Sequence, residues 1–197
     1  MKSIKKYQIP EYDAQILRNA LLECEEIILG FGKSKFGYPE NQMLGKLNYY
    51  NLFLGVGEFK DHALPYVKEF ISDFLQLESG DEVMLTSWGN VMHGGHLVQK
   101  HSHTDEPSEY TVSGNLFLGS DNPTETIYYD EFGCPVGIPN KVGEFVLFSP
   151  NVEHEVPEYK GNVRVSCAFD AICTTRETRV NSGVADNSKM WYNYKIT

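Results

Sequence analysis

Cysteine is scarce in this chain of 197 residues. There are four, Cys24, Cys134, Cys167 and Cys173, and no two have C-x-x-C spacing. They are too few, in a chain this long, to frame a disulfide-stapled fold. Cys24 falls on an apolar helix face and Cys167 in a strand-like run, so both read as small core residues. Long hydrophobic runs are missing too, and none approaches the roughly 20 residues that cross a bilayer. The first ten residues, MKSIKKYQIP, are basic but carry no apolar stretch of the kind a signal peptide needs. A reducing cytoplasm is the expected location. Positive charge is in short supply, with 17 Lys plus Arg against 27 Asp plus Glu and a formal net charge of −10. A field of that sign repels phosphate backbones and anionic lipid, which disfavours nucleic acid and membranes as main partners. No internal repeat, linker or low-complexity segment divides the chain.

What remains is the composition of an ordinary soluble protein, in a length that suits one domain with a core of its own. The spacing predicts an amphipathic helix from Glu11 to Leu29, on which Leu17, Ala20, Leu21, Cys24 and Ile28 share a face and Gly30 stands at the C-cap. Residues 30–60 show little periodicity. Asp61 then has the place of an N-cap, Pro65 the first turn, and Leu64, Val67, Phe70, Ile71, Phe74 and Leu75 a helical stripe that Ser79-Gly80-Asp81 ends. From residue 82 the period changes to two, giving strands over 82–92, 96–103, 110–119, 125–130, 143–149 and 162–171, separated by turn signals such as Gly94-Gly95 and Asp121-Asn122-Pro123. The expected fold is α+β and mostly β, with helices covering one face of an antiparallel sheet or flattened barrel. Its parts would be a helical segment 1–80, a β core 81–171 and a polar tail 172–197 holding Trp191, Tyr192 and Tyr194.

Two short stretches carry the chemistry. In the first, His101, His103 and Asp105 stand two residues apart, so a continuing strand turns all three to one side. Two of them can bind one ion at neighbouring positions, and His154, just past an apolar strand, is the natural third ligand. Two histidines and a carboxylate on one face, with three positions open, make a non-heme iron site able to take a bidentate co-substrate and O2. In the second stretch, Arg164 follows His154 by ten residues. Val163, Val165, Cys167 and Phe169 form one face of that strand, and Arg164 and Ser166 the other. An inward arginine needs a partner, whose loss would cost about 3–5 kcal/mol. A bound dicarboxylate provides one, with a bidentate geometry lysine could not match and with the Ser166 hydroxyl alongside.

With these residues the chain resembles the Fe(II)/2-oxoglutarate-dependent oxygenases, in which His-x-Asp, a distal His roughly fifty residues on, and an R-x-S about ten residues later recur. Here Asp105 to His154 is 49 residues. The likeness is stronger to a bacterial and bacteriophage branch marked by His-x-His. Ser87-Trp88-Gly89-Asn90, Gly95, His101-Ser102-His103, Ser113-Gly114, Gly143 with Phe148, His154-Glu155-Val156 and Arg164 match it in order, over roughly residues 82–170. The resemblance implies a double-stranded β-helix core, of the jelly-roll or cupin-like kind. It implies Fe(II), 2-oxoglutarate and O2 as cofactor and co-substrates, and hydroxylation of an unactivated C–H with release of succinate and CO2. His103, Asp105 and His154 would be catalytic, with His101 as a fourth candidate ligand. Arg164 and Ser166, with Asn115, would hold 2-oxoglutarate. The wider superfamily makes His103 and Asp105 the ligand pair, whereas the branch makes it His101 and His103.

Simpler readings stand beside these. His62, His93 and His96 suit the surface or a turn, although His96 could line a pocket mouth. Trp88 and Asn90 could be core packing and a satisfied amide as readily as pocket residues. Tyr128 and Tyr129 are typical strand residues, and at least one is expected in the core. Gly32-Lys33-Ser34 is no phosphate loop, because Ile27 stands where the first glycine should be and a helix precedes it. The rivals in function are a cupin-like metal enzyme without a keto acid, such as a three-histidine dioxygenase or zinc isomerase, and a non-catalytic binding module on the same fold. The expected substrate is a small molecule or peptide, met by residues 30–60 and 174–197 as pocket walls. Oligomeric state is open, a homodimer included.

Overall fold

The computed structural model describes residues 4–25, 27, 51–103, 111–174 and 191–197. Strand β1 (Ile4–Gln8) leads into helix α1 (Glu11–Glu23). Three helices, α2 (Leu52–Gly55), α3 (Gly57–His62) and α4 (Leu64–Leu75), follow almost end to end. Eight strands come next: β2 (Glu82–Met92), β3 (Val98–His101), β4 (Val112–Ser120), β5 (Glu125–Tyr129), β6 (Pro135–Pro139), β7 (Glu144–Phe148), β8 (His154–Val156) and β9 (Arg164–Thr174). The last strand is β10 (Tyr192–Lys195).

The strands form a six-stranded sheet in the order β1-β7-β4-β9-β2-β10 and a four-stranded sheet in the order β3-β8-β5-β6. Every pair is antiparallel. From β2 onward the chain passes back and forth between the sheets, so that strands far apart in sequence, such as β2 and β9, lie side by side. This is the wrapped, double-sheet jelly roll expected of the sequence, mostly strand and with the helices on one sheet.

Period-two alternation decides what each face of the large sheet meets. On β9, Val165, Cys167, Phe169 and Ala171 join one apolar cluster with Leu17 and Leu21 of α1 and Val67, Phe70 and Ile71 of α4. The helices therefore cover the outer face. Arg164, Ser166, Ala168 and Asp170 fall on the other face, toward the small sheet. Two glycines allow this packing. A Cβ on Gly114 would stand 2.1 Å from the Phe169 ring, and one on Gly89 2.4 Å from Leu21, so the sheet and α1 close over bare backbone. Gly143 is different. Its φ of +76° is left-handed, and a Cβ would lie 2.7 Å from the Ile9 carbonyl at the exit of β1.

Several elements differ from the sequence expectation. Asp61 is not a cap but lies inside α3, and α4 starts after Ala63 with Pro65 in its first turn. The cap in this region belongs to Asn51, whose Oδ1 accepts from the Phe53 N–H at 3.0 Å and opens α2. Helix α4 ends at Gln76, whose φ of 53° turns the chain before Gly80 is reached. Strand β1, on the N-terminal side of α1, and β10, in the tail, are sheet edges that the pattern of apolar residues did not announce. Gly30 and the Gly32-Lys33-Ser34 segment lie outside the described residues.

Candidate functional site

The register of the small sheet assembles the histidines. His101 closes β3, His154 opens β8, and the two are partners across the antiparallel pair. His103 stands two residues on, its backbone N–H donating to the Pro150 carbonyl at 2.9 Å. One ring nitrogen from each of His101, His103 and His154 comes within 4.8 Å of the others. Among the described residues, this is the trio of His, Cys, Asp or Glu side chains close enough to hold a metal ion. Asp105 lies outside the described residues.

Each ring also has its Nδ1 against an acceptor. His101 Nδ1 is 2.8 Å from the Gln99 carbonyl, and His154 Nδ1 is 3.1 Å from that of Val152. His103 Nδ1 is 2.6 Å from Oδ1 of Asp170. A neutral imidazole that donates from Nδ1 keeps its lone pair on Nε2. Nδ1 donation from each ring would leave the three Nε2 atoms as candidate ligand positions. Burial, reinforced by His101 and His103, pushes the His154 pKa down to about 3, which keeps that ring neutral.

Strand β9 forms the opposite wall. Arg164 is 1% exposed and leads the fully buried side chains in size. Its Nη1 donates to Ser166 Oγ at 3.0 Å and lies 3.4 Å from the Met92 sulfur. Its Nε and Nη2 are buried with no partner among the described residues. Those two atoms lie on one edge of the guanidinium fork. Phe117 packs its ring 5.3 Å from the guanidinium carbon. Burial pulls the arginine pKa down from 12.5 to about 10, so the group is still charged at neutral pH.

Tyr128 links the two walls. Its ring is 5.9 Å from that of His154, and its hydroxyl feels the Arg164 charge. Burial raises the Tyr128 pKa so that it remains a neutral phenol. Trp88 stacks 6.3 Å from His103, which makes it pocket wall rather than core alone. Asn90 is the register partner of Ser166, and Asn115 that of Ala168. The Asn115 Oδ1 is buried without a partner among the described residues.

The remaining histidines take the simpler roles. His62 Nδ1 is 2.8 Å from Asp13. His93 pairs with Glu25 and lies 2.9 Å from the Asn162 carbonyl, while His96 Nδ1 accepts from the His93 backbone N–H at 3.0 Å, an ordinary turn contact. One residue escaped the sequence reading. Asp170 is fully buried, receives the Ser113 hydroxyl at 2.6 Å and touches His103. Its signal was present: Asp170 continues the inward face 164, 166, 168 by one more step, and it is the acidic residue of that strand.

No protein-family model matches this chain. No curated protein matches its sequence. Solved structures do match its fold. A prolyl hydroxylase from Trichoplax adhaerens, in complex with a hypoxia inducible factor oxygen degradation domain peptide fragment, has TM-score 0.64 at 13% identity, over 92% of this chain and 88% of that one. A Pseudomonas putida prolyl-4-hydroxylase has TM-score 0.55 at 16% identity, over 86% and 87%. SnoN, a non-heme alpha ketoglutarate dependent epimerase from nogalamycin biosynthesis, has TM-score 0.60 at 9% identity, over 96% and 85%. The fold is thus one shared by prolyl hydroxylases and by a non-heme, alpha ketoglutarate dependent epimerase.

Proposed function

We propose that this protein is an Fe(II)- and 2-oxoglutarate-dependent dioxygenase that hydroxylates an unactivated C–H of a small molecule or peptide, releasing succinate and CO2. One observation carries the reading. A fully buried arginine presents two donors, without a partner among the described residues, to the same inter-sheet space in which three histidines converge. A buried guanidinium in that state is destabilising by several kcal/mol unless an anion completes it. The far carboxylate of 2-oxoglutarate is such an anion, and a metal between the histidines gives its keto acid end a place to bind.

The residues fit both groups. Three imidazoles that each set Nδ1 against an acceptor would be a donor set for a divalent first-row metal. Iron bound there supplies the coupling of O2 reduction to oxidative decarboxylation of the keto acid. The protein does the rest. Arg164 would take the far carboxylate through Nε and Nη2. Because Ser166 Oγ accepts from Nη1, its own proton is available to the same carboxylate. Asn115 would offer a further polar contact. Phe117, Tyr128, Val146 and Phe148 are buried around this space and keep it dry, which strengthens each charged contact. The peptide bound to the T. adhaerens neighbour makes a peptide a reasonable first substrate class to screen.

The test begins without oxygen. Fe(II) and 2-oxoglutarate added to the protein should produce a weak visible metal-to-ligand absorption band, and air should then convert 2-oxoglutarate to succinate. Iron-loaded protein that gives no band and no succinate refutes the reading. Iron binding with no response to 2-oxoglutarate would support a cupin-like metal enzyme instead.

A further inference from the structure

We propose that Asp170 is a positioning residue for the metal, and that it supplies from behind His103 the negative charge that a carboxylate ligand would supply directly. This rests on the iron reading above. Of the three histidines, His101 and His154 rest their Nδ1 atoms on backbone carbonyls, which are neutral acceptors. Among the contacts of the described residues, His103 meets a carboxylate, that of Asp170, at 2.6 Å. An anionic acceptor holds the Nδ1 proton more firmly and makes the opposite nitrogen a better donor to a metal.

The placement of Asp170 argues against a purely structural role. It is fully buried at the centre of the six-stranded sheet, between Thr86 on β2 and Ser113 on β4 in register. A valine or leucine there would fill the space without desolvating a charge, and burying a carboxylate is unfavourable by several kcal/mol unless a partner offsets it. Ser113 orients the carboxylate through the same Oδ1 that faces His103. The arrangement also resolves a charge question. Three neutral imidazoles would leave a divalent ion with its whole charge in a buried site, whereas two imidazoles and a carboxylate would lower it by one. Asp170 restores that balance one bond further out, so a histidine can stand in the carboxylate's place without leaving the oxidised metal unsupported.

The experiment uses the full chain and two readouts other than activity. In metal-free protein, long-range ¹H–¹⁵N spectra about two pH units above the ordinary histidine pKa report which ring nitrogen carries the proton. His103 should be the Nδ1–H tautomer in the wild type and in Asp170→Asn, whose amide oxygen can still accept, and should lose it in Asp170→Ala. Calorimetric titration with Co(II) under anaerobic conditions reads the site itself. Asp170→Asn should weaken binding about 10-fold and Asp170→Ala about 100-fold, with a changed ligand-field spectrum in both. Ser113→Ala, which removes the other partner, should move the melting temperature more than the affinity. Folded Asp170→Asn and Asp170→Ala proteins with wild-type Co(II) affinity and an unaltered His103 tautomer would overturn the proposal. Wild-type protein that shows the tautomer pattern yet takes up no Co(II) would refute the metal reading and leave the hold of Asp170 on His103 standing.

Discussion

Replacing Arg164 by methionine separates stability from co-substrate binding, because the structure makes the two effects opposite in sign. In the free protein the guanidinium is fully buried with two donors that have no partner among the described residues, and its pKa falls from 12.5 to about 10. At about 1.4 kcal/mol per tenfold, that fall corresponds to a penalty of about 3 kcal/mol on the charged form. Methionine has a similar length, carries no charge and can pack on Phe117 and Met92. It forfeits the bond to Ser166, worth about 1 kcal/mol, and the contact with the Phe117 ring, worth up to about 2 kcal/mol. The free variant should therefore be as stable as the wild type, or more stable by about 1 kcal/mol. Binding goes the other way. Loss of a buried charge-assisted pair removes about 3–4 kcal/mol, or roughly a 10²–10³-fold weaker hold on 2-oxoglutarate. Thermal melting with Mn(II), with and without 2-oxoglutarate, reads both. The wild type should gain about 2.7 kcal/mol at a concentration 100 times its Kd, and the variant at most about 0.4 kcal/mol at the same concentration. Metal affinity should be unchanged. A variant that loses several kcal/mol in the free state yet keeps the full response to 2-oxoglutarate would show that Arg164 is structural, and the argument from its unpartnered donors would fail.

Three further outcomes are expected. With His101, His103 and His154 as ligands, His101→Ala should abolish stoichiometric Fe(II) binding while Asp105→Ala leaves it intact, and anaerobic metal titration checks this; the opposite pattern would restore the His-x-Asp pair. Gly143→Ala should cost about 2–3 kcal/mol in urea denaturation, because the left-handed backbone is strained for a side chain and the new Cβ meets the Ile9 carbonyl that follows β1. The His93–Glu25 pair should make stability depend on pH. Its pKa is raised above the ordinary 6.5, chiefly by the hydrogen bond to Glu25, so the stabilisation is full below that value and fades as pH rises through the raised one. The His96 ring, edge-on at 5.8 Å, and the Asn162 carbonyl also face this ring. Glu25→Gln should flatten the melting-temperature profile in that window, and an unchanged profile would show that the pair adds nothing.

Strands with a one-sided apolar pattern were legible in the sequence almost to the residue. Strand β2 spans the expected 82–92, and the split of β9 into Val165, Cys167 and Phe169 against Arg164 and Ser166 is the one observed. Edge and short strands were not. Strand β1 reads Ile-Lys-Lys-Tyr-Gln, without alternation, and becomes a strand because β7 offers it a ladder. Strand β8 has three residues, too few to show a period. The helices α2 and α3 were missed for a related reason, since pieces of four and six residues cannot display a helical stripe.

The sequence by itself determined the chemical inventory: which histidines stand two apart, that an arginine falls on the inward face of its strand, and that the spacing from His154 to Arg164 suits one site. Such facts follow from local alternation, which the backbone imposes on any strand. The tertiary structure alone decided what those residues meet. Register between β3 and β8 puts His101 opposite His154, and the central position of β9 sets Asp170 behind His103. Both depend on contacts between strands 53 and 67 residues apart in sequence (from His101 to His154 and from His103 to Asp170), a distance over which no local period carries information. The carboxylate that the sequence sought at Asp105, beside the histidines, has a counterpart at Asp170, which only the closing of the large sheet brings to them.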